Sequence, residues 1–299
     1  MQFLDVKTDF AFKKVFGSEA SKDILISFLN SIIDFDEKEK IVDLTIVDPY
    51  QIPMIIGMKD TFVDVKAKLL NHKNVIIEMQ VLNVEGFEKR ILYNAAKTYS
   101  TQLMKAEAFS TLEPIIALTI TDFIMFEKIE NVISYFSLFE KDTLIKYNDE
   151  IELIFIELPK FNKDEEKLET IRDKWIYFIK NAGRLEYTPK TLIKESQIEK
   201  AFEIANTASM TKDELETQHK RHDFINLQKG SIELALKQGI EQGMQQGMQQ
   251  GMEAGEKKKA VEIAKKLLDR GEDREIISAI TGLTMEEITA QDGFVEKCY

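Results

Sequence analysis

Three polar residues stand out for the chemistry they could do together. Asp64, Glu78 and Gln80 lie on two short alternating segments, 61–69 and 75–81. Side chains along a strand alternate between faces. On the first segment Val63, Val65, Ala67 and Leu69 therefore share one face, and Phe62, Asp64, Lys66 and Lys68 the other. On the second, Val75, Ile77, Met79 and Val81 oppose Ile76, Glu78 and Gln80. The connection Asn71-His72-Lys73-Asn74 predicts a hairpin. If both apolar faces look into one core, facing residues share parity. A register pairing Leu69 with Val75 then pairs Asp64 with Gln80. Glu78 becomes the diagonal neighbour of Asp64, roughly 7–8 Å away between backbones. Two carboxylates so placed can converge on one hard cation. Mg²⁺ takes a few carboxylate oxygens and completes its shell with water and substrate phosphate oxygens. Such an ion acidifies water and offsets charge on a phosphate under attack. The same residues also read as the solvated face of an ordinary hairpin.

The elements that must position these residues follow from periodicity. Phe12, Phe16, Leu25, Phe28, Leu29 and Ile32 predict a helix over 8–33, N-capped by Thr8 and open to interruption at Gly17-Ser18. Residues 41–47 alternate as a strand, and Pro49 and Pro53 mark a break. After the hairpin, Phe87, Ile91, Ala95, Tyr99 and Leu103 predict an amphipathic helix over 85–107. Residues 114–121 then read as a buried strand. The order is helix, three strands, helix, strand. Two further strand-like runs cover 132–139 and 151–158. Beyond Pro159 the chain turns helical and highly charged up to about Leu236.

Composition narrows the class. The chain has 299 residues, 44% hydrophobic and 31% charged, with a net charge of −12. The negative balance argues mildly against nucleic acid as a partner, because phosphate neutralisation needs Lys and Arg. A local basic stripe could still serve. The lone cysteine, Cys298, excludes a disulfide framework within the chain and points to a reducing compartment. No signal-peptide pattern opens the sequence and no apolar run reaches membrane-spanning length, so a cytoplasmic protein without membrane contact is expected.

Combined motifs carry a family resemblance. Thr8-Asp9-Phe10-Ala11-Phe12-Lys13-Lys14-Val15-Phe16-Gly17 and Phe28-Leu29-Asn30-Ser31-Ile32 resemble the opening of the Rpn-type recombination-promoting nucleases, also called PD-(D/E)XK nuclease family transposases. The likeness continues through Asp64-Val65 and Ile76-Ile77-Glu78-Met79-Gln80. Arg90, Tyr93, Tyr99, Gln102 and Leu103 follow, then Pro114-Ile115-Ile116 and Thr121-Asp122-Phe123. It covers residues 3–126 closely and the remainder loosely. One departure is Lys105-Ala106-Glu107-Ala108-Phe109, where the family usually shows a Gly and then a Tyr.

The resemblance implies an α/β, restriction-endonuclease-like (PD-(D/E)XK) core of order α-β-β-β-α-β with a helical C-terminal extension. It implies a DNA endonuclease of low sequence specificity that uses Mg²⁺, or alternatively Mn²⁺. Asp64 and Glu78 would be metal ligands, and Gln80 would stand where many superfamily members carry Lys. Family ties are to recombination, transposon-like mobility and phage defence. The competing reading is a non-catalytic oligomeric, DNA-associated or regulatory module built on a nuclease-derived fold.

A neutral amide at position 80 can hydrogen-bond but cannot offset charge, so a cation is expected from elsewhere. Lys66 shares Asp64's strand face. Arg90, Asn94, Lys97 and Thr101 form a helical stripe opposite the apolar one, with Arg90 the candidate phosphate contact. That stripe reads equally as a solvated face. Asp9 is either a further acidic member or a helix N-terminal acid favoured by the macrodipole. His219 and His222 have metal-compatible spacing but flank Lys220-Arg221 and read as an exposed helix face.

The expected organisation is a nuclease domain over 1–160, a helical region over 161–236, a repeat over 237–256 and a small tail over 257–299. Within the repeat Gly239, Gly243, Gly247, Gly251 and Gly255 recur every four residues, with Met244, Met248 and Met252 after three of them. Small residues permit close helix packing, and a four-residue period favours a right-handed wrap. The 239–255 helix is therefore either a homo-oligomer contact or a frayed linker. The tail reads as helix-turn-helix-like, with helices over 260–268, 272–280 and 285–288. The helix over 285–288, the would-be recognition helix, carries Glu286 and Glu287, so a packing or regulatory role is expected rather than DNA reading. A short C-terminal product of the same gene, started at an internal Met, is a candidate regulator.

Overall fold

Thr8 starts the first helix: its hydroxyl accepts the Ala11 amide at 3.3 Å. The helix stops at Gly17, where an added methyl would meet the Lys13 carbonyl oxygen at 2.8 Å. The computed structural model, which describes residues 3–51 and 61–292, therefore holds two helices where one was expected over 8–33. These are α1 (Asp9–Phe16) and α2 (Lys22–Ile32). Ser18 and Ser21 cap the join reciprocally. The predicted apolar stripe is buried throughout. Pro53 and Cys298 fall outside the described residues.

Eight strands follow in chain order: β1 (Leu44–Val47), β2 (Tyr50–Gln51), β3 (Thr61–Phe62), β4 (Val65–Leu69), β5 (Asn74–Gln80), β6 (Ile115–Thr121), β7 (Ile133–Phe136) and β8 (Ile151–Glu157). Six form one sheet ordered β1-β4-β5-β6-β8-β7, while β2 and β3 pair separately. The β1/β4, β4/β5 and β7/β8 pairs are antiparallel, and β5/β6 and β6/β8 are parallel. The crossover from β5 to β6 runs through α3 (Phe87–Ser100). This gives a mixed α/β architecture with the core order helix, three strands, helix, strand, as the resemblance implied.

The hairpin register differs from the expectation by two residues. Val75 pairs with Ala67, not with Leu69, and Lys68 with Asn74. The turn is responsible. Leu69 N–H donates to the Lys73 carbonyl at 2.9 Å, which closes a three-residue loop with His72 at φ 63°. A tight loop ending in a left-handed residue is a common hairpin solution. Because the slip is even, parity survives, and Val65, Ala67, Leu69, Val75, Ile77 and Met79 all join the main core.

That core lies between the sheet and the helices. The helices α4 (Ile171–Asn181) and α5 (Ser196–Ala205) pack on α1 and α2. Trp175 is fully buried against Phe16, Phe28 and Phe178. On the sheet's other face α3 buries Phe87, Ile91 and Ala95. The expected exposed stripe of α3 is partly internal. Asn94 and Lys97 are both buried, because α3 lies against β6 and β8 over much of its girth.

Two compact units divide the chain at residues 228 and 229. A single helix, α6 (Lys212–Leu268), contributes to both. In the first unit its opening turns dock on α1 and its N-cap: Glu214 bridges Lys14, the Thr8 hydroxyl lies 2.9 Å from Gln218 Oε1, and Arg221 lies 3.4 Å from Asp9. In the second unit α6 runs unbroken through the glycine ladder. It then packs with α7 (Arg274–Thr281) and α8 (Met285–Asp292) around Ala264, Ile277, Leu283 and Ile288. Among the described residues no helix is long and apolar enough to cross a membrane.

Candidate active site

Asp64 sits at a break between β3 and β4. Its N–H donates to the Ile77 carbonyl at 2.9 Å, although Ile77 is the register partner of Val65. Two residues of one segment thus face one of the other, the signature of a β-bulge, which re-aims side chains. The inversion explains Val63. It was expected on Val65's face, but it packs instead with Ile76, Ala95, Ile115 and Ala117 under α3. The bulge leaves Asp64 at the rim, its Oδ2 accepting the Met79 N–H at 2.8 Å and its Oδ1 lying 3.4 Å from Lys13 Nζ.

Glu78 lies on β5 beside Thr119 of β6. Its Oε1 accepts from the Arg90 guanidinium in a salt bridge, and the same Arg90 nitrogen donates to Gln80 Oε1 at 2.9 Å. Gln80 spends its other end on the Leu82 carbonyl at 2.7 Å. Arg90 in turn rests on the Phe87 ring, 4.9 Å from its centroid. Behind Glu78 is a water-sized cavity of about 10 Å³, lined by Val63, Ile76, Asn94 and Thr119 among others. The Asn94 side chain is 1% exposed, and its amide has no hydrogen-bond partner at close range among the described residues. It lies near enough to Glu78 to favour the ionised carboxylate.

Electrostatics bind the two acids into one site. Burial holds the Asp64 carboxyl above its ordinary range. The Met79 amide and Lys13 act against this, and nearby Asp9 adds to it. Glu78 is likewise raised by burial, opposed by Arg90 and reinforced by the negative charge of Asp64. Each acid is 12% exposed. Two such carboxylates with a cation between them are held more comfortably than two alone.

The structure therefore brings together Asp64, Glu78, Gln80 and Arg90, with Asp9 close enough to be felt electrostatically. Lys66 is not part of the group. It pairs with Val47 in the sheet, its counter-charge is Asp48, and burial lowers its pKa. Lys13 was missed by sequence reasoning, although its position one turn after Asp9 on a short amphipathic helix was the available signal. His222 Nδ1 pairs with Asn226 at 3.0 Å on the exposed side of α6, far in kind from a metal site.

Among the described residues no three His, Cys, Asp or Glu side chains cluster into a ready cation cage. Two partly buried carboxylates held together suit a hard ion that keeps several waters, as Mg²⁺ does. The donor set thus fits a divalent metal of that kind.

Comparison with known families gives two matches. PD-(D/E)XK nuclease family transposase matches residues 6–235. The Rpn/YhgA-like nuclease family C-terminal HTH domain matches residues 257–292. No curated protein and no solved structure matches the chain.

Proposed function

Because this chain belongs to the PD-(D/E)XK nuclease family transposases, we propose that it is a metal-dependent endonuclease that hydrolyses DNA phosphodiester bonds with little sequence specificity, using Asp64 and Glu78 to hold Mg²⁺. The observation that carries the proposal is the convergence of two partly buried acids, one at the break before β4 and one on β5, with a cation beside each. Mn²⁺ is the alternative ion. When bound, the ion supplies positive charge that acidifies water and steadies the phosphate under attack.

The chain's own residues do the rest. The Met79 amide orients the Asp64 carboxylate. Arg90 sets the angle of Glu78 and is itself aimed by Gln80 and Phe87. Gln80 acts as a positioning residue, because both ends of its amide are committed. DNA is the partner that the helix-turn-helix match supports, although Glu286 and Glu287 on α8 favour a packing or regulatory role for that tail. Self-association through residues 239–255, action in recombination or phage defence, and regulation by a short C-terminal product belong to the same proposal.

The test is nicking of supercoiled plasmid in Mg²⁺ by wild type, Asp64→Ala and Glu78→Gln. Activity confined to wild type is expected; equal nicking by all three sinks the proposal. A second reading has its own support. Both acids already carry internal counter-ions and the chain's net charge is −12, as a non-catalytic regulatory module would tolerate. DNA binding that depends on salt but on no divalent ion would favour it.

A further inference from the structure

We propose that Lys13 is a catalytic residue of this site, its ammonium donating to a non-bridging oxygen of the phosphate under attack. The inference rests on the nuclease reading above. Hydrolysis forms a bond from water oxygen to phosphorus and breaks the bond to the leaving sugar oxygen. The water's proton passes to solvent, and the leaving alkoxide takes one back. Negative charge gathers on the phosphoryl oxygens in between, and a preorganised donor there acts more strongly than in water. Lys13 acts by hydrogen bonding and charge alone and exchanges no atom.

Among the described residues, the site's other cations each have a partner of their own. One terminal nitrogen of Arg90 serves both Glu78 and Gln80. Lys97 is buried and rests over Tyr93. Lys66 belongs to Asp48. Among the described residues Lys13 is the cation that meets Asp64, at 3.4 Å, with a side chain still 44% exposed. Its ammonium has three donors, so one can serve Asp64 while others face a substrate.

Its placement is rigid. Thr8 caps α1 at one end and Gly17 ends it at the other. Phe12 and Phe16, buried in the core, fix the rotation of the helix that carries Lys13. Lys14, the next residue, points elsewhere, to Glu214. It is a built-in control of equal charge on the same helix.

The test compares wild type, Lys13→Met, Lys13→Arg, Lys14→Met and Asp64→Ala in plasmid nicking. Duplex binding is measured separately in Ca²⁺ across a salt series, and melting temperature checks the fold. For Lys13→Met, kcat should fall about 10²–10³-fold. The slope of log affinity against log salt should flatten by about 0.9, one phosphate contact. Lys13→Arg should recover both at least in part, and Lys14→Met should resemble wild type in nicking. Wild-type kcat and slope in Lys13→Met, with Asp64→Ala inactive, would overturn this inference and leave the nuclease reading intact. Loss in Lys13→Met without a slope change or rescue by Arg would also overturn it. Equal nicking by wild type and Asp64→Ala would overturn both.

Discussion

The Arg90 guanidinium is salt-bridged to Glu78 across the gap between α3 and β5. One nitrogen serves Glu78 and Gln80 together, while the planar guanidinium rests on the Phe87 ring, a stacked placement that a lysine ammonium does not reproduce. Arg90→Lys should therefore keep the charge and lose the alignment. Plasmid nicking should fall about 10²-fold, as when one preorganised donor is removed, with circular dichroism unchanged. An Arg90→Lys enzyme of wild-type rate would remove Arg90 from the positioning scheme.

The legible part of the site was what side-chain parity governs. Glu78 and Gln80 share a face in the sequence pattern and in the structure, because β5 is regular. Asp64 was legible as a residue but not as a geometry. Its bulge depends on where the chain leaves the sheet, and the three-residue turn at His72 moved the register by two. Lys13 was missed for a different reason. A helix reports which residues face its own core, not which strand end its polar face will meet. The buried Asn94 and Lys97 teach the same lesson: an apparently polar stripe on α3 became internal once the sheet wrapped it.

Phe16 lies 5.8 Å, centroid to centroid, from Trp175, the chain's single tryptophan. Both are fully buried where α1, α2 and α4 meet. Phe16→Ala leaves a cavity in a close-packed region and should cost about 3–5 kcal/mol. Urea unfolding followed by tryptophan fluorescence reads the loss directly. A change below 1 kcal/mol would mean that the core can collapse around the missing ring.

Glu157 is completely buried at the end of β8 and forms a clamp. It accepts the amides of Met125 and Phe126 at 2.6 and 3.1 Å and pairs with Lys160 at 2.5 Å, while Lys160 also donates to the carbonyls of Phe126 and Ile129. Removing one member of a buried pair strands the other, and Glu157→Ala should cost about 3–5 kcal/mol. Phe123, which follows β6, packs edge-on to Phe87, the ring beneath Arg90. Hydrogen exchange over 122–131 should therefore rise, and nicking should fall with it. Unchanged exchange there would show that the segment holds without the clamp.

Glu214 fastens the start of α6 to α1. Its contact with Lys14, aided by the Thr211 amide, lowers its pKa to about 2 from a usual 4.5. A depressed carboxyl stabilises the folded contact above its unfolded pKa and loses that contribution as pH falls through the folded one. The contact should thus be complete at pH 5 and above and fail between about pH 4.5 and 2. Amide exchange in 212–220, corrected for intrinsic rates, should show this release, and Glu214→Gln should show it already at neutral pH. Equal protection in Glu214→Gln and wild type at pH 7 would mean that Gln218 and Arg221 suffice.

The glycine ladder allows self-association and a simple tether to be told apart by one variant. At Gly239, Gly243, Gly247, Gly251 and Gly255 an added methyl meets nothing within 4 Å, and Met244, Met248 and Met252 are exposed beside them. Within one chain, then, Gly243, Gly247 and Gly251 can all become Ala without a clash. Each replacement should strengthen the helix by about 1 kcal/mol. If two copies meet through the glycine face, the same methyls hold the backbones apart. Helicity should then rise while the mass from light scattering falls to that of one chain. A tether predicts the rise in helicity with no change in mass. A triple variant that is more helical and equally associated would therefore exclude this face as the contact.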